Sequence, residues 1–118
     1  MSESAHPTWL HRVALATACL LFPLIFVGAG VTSHGAGMAY PDWPTSAGRL
    51  VNPEGWWQST DTRWEHGHRL IGWTVGMLAI ATVALALATA PAAHVKRLAA
   101  ALLCAIVLQG VLGGLRVT

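Results

Sequence analysis

The side chains best able to do chemistry cluster in one short stretch, Glu65-His66-Gly67-His68-Arg69, followed by Leu-Ile-Gly-Trp-Thr-Val-Gly. If a helix starts near Glu65, then Glu65, His68, Gly72 and Gly76 recur at separations of three, four and four and share one face. A carboxylate and an imidazole then stand above a glycine-lined groove that admits a neighbouring backbone or a flat cofactor. The His68 imidazole could supply an axial nitrogen to haem iron. Glu65 could orient a histidine through its non-ligating nitrogen, or sit near the reacting edge of a bound group and move protons. His66, two positions from His68, points to a different face, and no cysteine joins the pair, so a zinc site has little support. The same residues also carry a reading without a cofactor. Gly72 and Gly76, like Gly110 and Gly114, fit the small-xxx-small pattern of close helix packing. Arg69 is spaced to pair with Glu65 or to snorkel.

Other candidates are weaker. Arg116 follows Gln109 by seven positions, roughly on the same helical side. It could pair with a propionate of a bound porphyrin or anchor its helix at the interface. Gln109 suits an interhelical hydrogen bond or a cofactor edge. His34, beside a glycine-rich turn, reads as a hydrated loop residue that could reach the same cavity. His6, His11 and His94 read as ordinary interfacial residues, and Asp42 as a residue that fixes its loop.

The elements that must position these residues follow from composition. The 118 residues are 54% apolar with 12 further glycines, and only 10% are charged. Ordinary soluble domains carry about 25% charged residues, and disorder needs the opposite bias. A net charge of +2 with scattered basic residues leaves no nucleic-acid footprint. Three charge-free runs remain: Val13 to Val31, Leu70 to Ala93 and Leu98 to Leu115. A helix needs about 20 residues to cross the hydrocarbon layer, so all three are expected to span the bilayer. The first lacks a clean cleavage signal and reads as a span, bent at Pro23, rather than a signal peptide. Cys19 and Cys104 lie inside apolar runs and are expected to be buried small residues. The fold class is an all-α integral membrane protein, with residues 1–12 as a cytoplasmic segment and 13–118 as the membrane domain. Arg12, Lys96 and Arg97 fall on one side, which the positive-inside tendency makes cytoplasmic. Residues 32–69 then form the outer loop. Pro41, Pro44 and Pro53 with the loop glycines set turns, and Trp43, Trp56, Trp57 and Trp64 suit the interface. So many turn residues favour a folded lid over a simple aromatic belt.

Three segments in this order, VGAGVTSHGAGMAYPDWP, EHGHRLIGWTVG and LQGVLGGLRVT, resemble the first part of the haem A synthase family, over about Trp9 to Thr118. The resemblance implies a multi-helix membrane enzyme of two related four-helix halves, of which three helices here form most of one. It implies oxidation of the position-8 methyl of haem O to the formyl of haem A by successive hydroxylations, with haem O as substrate and an electron donor that the sequence does not identify. It further implies that His68 is the axial ligand of an E-x-x-H-R motif, that Glu65 is its important acidic residue, and that Arg69 and TSHGAG belong to the same pattern. Some members carry a cysteine pair in the first outer loop; this loop has none, so thiol–disulfide exchange is not expected there. A full member would continue into a fourth helix with the partner histidine and a second half with another histidine pair, and would carry haem b, which this chain alone is not expected to hold. The chain is therefore expected to be a fragment, or to assemble with a complementary polypeptide or with copies of itself, in the inner membrane. The isolated chain is expected to be inactive. Alternatives are a non-enzymatic haem-binding or electron-transfer component, and a packing module without a cofactor.

Overall fold

The computed structural model describes residues 8–33, 35, 38–89 and 92–117. Three helices follow in order: α1 (Thr8–Ser33), α2 (Thr60–Thr89) and α3 (Ala93–Val117). All three are long and apolar enough to cross a membrane. The chain is thus an all-α, three-helix bundle of the multi-pass type.

The helices run past the apolar runs that predicted them. α2 starts at Thr60, five residues before the expected Glu65. The Arg63 amide bonds to the Ser59 carbonyl at 3.1 Å, which makes Ser59 the N-cap, with Asp61 in the first turn. Its 30 residues amount to about 45 Å of helix, against about 30 Å of hydrocarbon. The surplus of about ten residues matches the charged turns 60–69. At its other end α2 stops at Thr89, short of the expected Ala93; Pro91 in the sequence disfavours helix in the residue before it.

α2 is the spine. It packs on both α1 and α3, while the Cα atoms of α1 and α3 stay more than 8 Å apart among the described residues. Its buried positions include Val75, Ala79, Thr82 and Ala86, spaced four, three and four apart. Small side chains on this stripe let the helices approach closely, the usual basis of association where lipid removes the hydrophobic driving force. Thr17 and Thr82 are also buried, and their hydroxyls donate to the carbonyls of Val13 and Leu78, both at 2.8 Å. The apolar layer therefore holds no unsatisfied hydroxyl there. Leu10 of α1, Ala86 of α2 and Ala99 of α3 close the bundle at the end of the α2–α3 link. Cys19 and Cys104, expected to be buried, are both exposed on the outside of the bundle. Apolar side chains need not turn inward when the surroundings are lipid, so the soluble-protein preference for burying cysteine does not carry over.

The segment between α1 and α2 is folded. Ser46 and Arg49 exchange both backbone hydrogen bonds, at 2.8 and 3.0 Å, around Ala47 and Gly48, whose φ values are +50° and +78°. Two positive φ angles between paired residues characterise a type I′ hairpin turn. Gly48 adopts this freely; Ala47 is held there at a cost. The Asp42 carboxylate offsets that cost by accepting the Ala47 amide at 2.8 Å, the Gly48 amide at 2.9 Å and the Thr45 hydroxyl. The Trp43–Pro44 peptide is cis.

Candidate functional site

The folded loop lies against the first turns of α2, where the Thr62 hydroxyl donates to the Trp56 carbonyl at 2.6 Å and three further side chains of that helix hold it. His66 is 1% exposed. Its Nε2 donates to the Val51 carbonyl at 2.8 Å, because a carbonyl can only accept. Nδ1 is then the acceptor in the neutral ring, and the Ser46 hydroxyl donates to it at 2.8 Å. Trp56 and Tyr40 stand edge-on to the imidazole, with ring centroids 4.9 and 6.1 Å away.

Arg69 is the second anchor. Its guanidinium donates to the carbonyls of Asp42 (2.7 Å), Thr45 (2.5 Å) and Tyr40 (3.4 Å), to the Ser46 hydroxyl (3.2 Å), and to Glu65. It also lies 5.7 Å over the Tyr40 ring. Glu65 is the third. One carboxylate oxygen pairs with Arg69, and the other accepts the Tyr40 amide at 3.0 Å. Tyr40 is buried, and this desolvation first, with the Glu65 charge added, pushes its phenol above the ordinary value. For Arg69, the structure selects pairing with Glu65 over snorkelling.

His68 differs from its neighbour. It is half-buried, and no hydrogen bond among the described residues engages its ring. The ring lies against α1 at Gly28, where an added Cβ would meet Nε2 at 3.0 Å. One turn on, Gly72 also faces α1, with Leu24 3.9 Å from the position of a Cβ. Gly76 has nothing within 4 Å of that position. The predicted face therefore divides: Glu65 turns to the loop, His68 and Gly72 turn to α1, and Gly76 borders open space. An open groove of about 450 Å³ is lined instead by Val27, Thr60, Arg63, Trp64, Gly67 and Ile71, and by none of these four residues.

Arg116 is exposed at the loop end of α3, two residues past Gly114. A Cβ at Gly114 would lie 2.5 Å from the indole of Trp43, so the loop docks on α3 there. Gly30 of α1 takes Trp64 in the same way, at 2.3 Å. Gln109 is exposed on α3, and His11 and His94 are exposed at the link end. His6 and His34 lie outside the described residues. No group of three or more His, Cys, Asp or Glu side chains is placed to cage a metal among the described residues. What distinguishes His68 is an imidazole that no hydrogen bond engages, set opposite a glycine that leaves room for its ring. Such a donor could hold a haem iron, whose macrocycle supplies the other nitrogens.

Sequence reasoning missed Gly28, Gly30 and the anchoring role of His66. The VGAG run carried the only available signal, small residues at one end of a span, without showing what they face.

Fold and site together define a multi-pass helical membrane protein with a loop-covered histidine helix. The chain belongs to the COX15-CtaA family of cytochrome oxidase assembly proteins, whose family model matches residues 11–118. No match to a curated protein or to a solved structure was found. Membership supports a role in haem A biosynthesis.

Proposed function

We propose that the chain forms the His68-bearing part of a haem A synthase, acting on haem O in the bilayer and oxidising its position-8 methyl to a formyl group. The observation that carries this reading is the contrast between the two histidines: His66 has both ring nitrogens committed, and His68 has neither. Haem O, once bound, supplies the iron and the methyl group that is oxidised. His68 would hold the iron from α2. Gly72 and Gly76 would let the macrocycle or a neighbouring helix lie close to α2, and Arg116 would pair with a propionate. Glu65 would stand at the reacting edge and move a proton. A second axial ligand, the electron donor and the oxidant would come from outside the described residues, through a fourth helix and a second half, or a complementary subunit. Arg12, Lys96 and Arg97 support a cytoplasmic link end, with the 32–69 loop on the outer side of the inner membrane.

Expression in haem-replete cells, with Soret absorbance per protein as the readout, tests the ligand. His68→Ala should lose it and His66→Asn should keep it; undiminished absorbance in His68→Ala overturns the assignment. One observation favours a second reading, a haem carrier or electron-transfer component without methyl oxidation: both Glu65 oxygens are already occupied. Turnover of haem O by the protein with its completing partner, compared with Glu65→Gln, separates the two. Haem retained without any formyl product selects the carrier.

A further inference from the structure

An arginine one residue from a haem-ligating histidine invites assignment to the propionates. Its surroundings point elsewhere. The Arg69 side chain is 8% exposed. A guanidinium has five N–H donors in a rigid fork, and here its two terminal nitrogens serve four acceptors in the loop and the Glu65 carboxylate. Three of the loop acceptors are main-chain carbonyls, of Tyr40, Asp42 and Thr45; the fourth is the Ser46 hydroxyl. The Tyr40 amide returns to Glu65, so helix and loop are tied in both directions. Of the five donors, only the single Nε–H bonds to nothing among the described residues, so the parallel pair of terminal donors that would grip a carboxylate is already spent.

We propose that Arg69 is a positioning residue. It clasps the Tyr40–Ser46 segment as a fixed roof over the turn of α2 that carries Glu65 and His68, and it does not receive an anionic group of the bound substrate. The roof fixes the Glu65 carboxylate in one orientation three residues before His68. Arg116, exposed at the same end of the bundle, is a cation that the clasp does not use. This inference rests on His68 as the haem ligand only for its consequence at the site; the clasp itself is a property of the chain without haem.

The experiment has two arms. In the first, hydrogen exchange of peptides covering residues 40–49 is compared in the full-length protein without haem. Arg69→Gln and Arg69→Lys should both speed exchange there by on the order of tenfold, because a point charge cannot reach five acceptors. His68→Ala should leave it unchanged. Unchanged exchange in Arg69→Gln overturns the clasp. In the second arm, protohaem and its dipropionate dimethyl ester are titrated into wild type and Arg69→Gln. A positioning residue shifts both titrations and their Soret maxima equally, and Lys does not rescue. A loss confined to the free-acid haem, rescued by Lys, overturns the proposal in favour of propionate binding. If Arg69→Gln cannot be recovered folded, Ser46→Ala should show the same faster exchange with an unchanged haem-to-ester ratio; protected peptides there overturn it as well. If wild type takes up neither ligand, the haem reading fails and the exchange arm alone decides the clasp.

Discussion

The edge of the His68 imidazole rests on Gly28: a methyl group on that glycine would lie 3.0 Å from Nε2 and 3.3 Å from Cδ2. The position of the ring is therefore set from α1, forty residues away in sequence, as much as from its own helix.

Replacing Gly28 moves that ring. Ala should displace it by a few tenths of an ångström and cost about 1 kcal/mol, with Val nearer the upper end of the roughly 1–3 kcal/mol typical of overpacking. Thermal melting in detergent and the Soret maximum of the haem-loaded protein check this. A Gly28→Val protein with unaltered melting and spectrum would show that α1 does not hold the imidazole.

Two tryptophans seated on glycines should behave alike. Gly30→Ala and Gly114→Ala drive a Cβ to 2.3 and 2.5 Å from Trp64 and Trp43, so each should destabilise by about 1–3 kcal/mol. Gly110 and Gly113 have open space, and Ala there should stabilise by about 0.5–1 kcal/mol through helix propensity. Unfolding of the four variants under one detergent condition compares them directly; equal effects at all four sites would refute the notches.

The two histidines should separate stability from ligation. His66→Ala strands the Val51 carbonyl and the Ser46 hydroxyl and opens a cavity, a loss of about 2–4 kcal/mol. His68→Ala, with no hydrogen bond to lose, should cost about 1 kcal/mol or less. Melting of both variants without haem measures the difference, and comparable losses would mean that His68 also has a structural task.

Acid should loosen the hairpin turn. The Thr45 hydroxyl and the Gly48 amide, with Ala47 adding to them, hold the Asp42 carboxyl at about 2, below its ordinary 3.8. A carboxylate with a depressed folded-state value contributes stability that is complete above about pH 4 and drains away as pH falls towards 2. Fluorescence of the neighbouring Trp43 should shift in that window, and Asp42→Asn should remove the shift. A transition of the same size in Asp42→Asn would assign it to another group.

The three helices were legible because long charge-free runs have one structural outcome in lipid; of the turn-rich 32–69 segment, residues 38–59 fold as turns and 60–69 belong to α2. The start of α2 was also written in the sequence, in Ser59-Thr60-Asp61, but the hydrophobic run drew attention to Leu70 and beyond. His68 stands out in the sequence through its spacing from Glu65 and Gly72. Gly28 and Gly30 could not be, because a glycine has meaning only through the ring that occupies its missing side chain, and that pairing depends on how α1 and α2 are set against each other. His66 was placed on a different face from His68 for the right helical reason. Its partners Ser46 and Val51, twenty and fifteen residues upstream, come together only once the turn at Ala47 and Gly48 exists. Cys19 and Cys104 failed because burial inside a protein and burial in lipid look the same in a hydropathy profile.

Arg69 grips the loop chiefly by its main chain, through the carbonyls of Tyr40, Asp42 and Thr45. Carbonyl oxygens are common to every residue type, so this anchoring reads the path of the chain and is indifferent to most of the side chains along it. Relatives can therefore diverge freely at Met38, Ala39 or Leu50 and still close the same cover, provided that the turn keeps its shape. The same economy makes the loop fragile in one respect: an insertion or deletion of a single residue between Tyr40 and Ser46 would shift several of its acceptors away from the guanidinium at once.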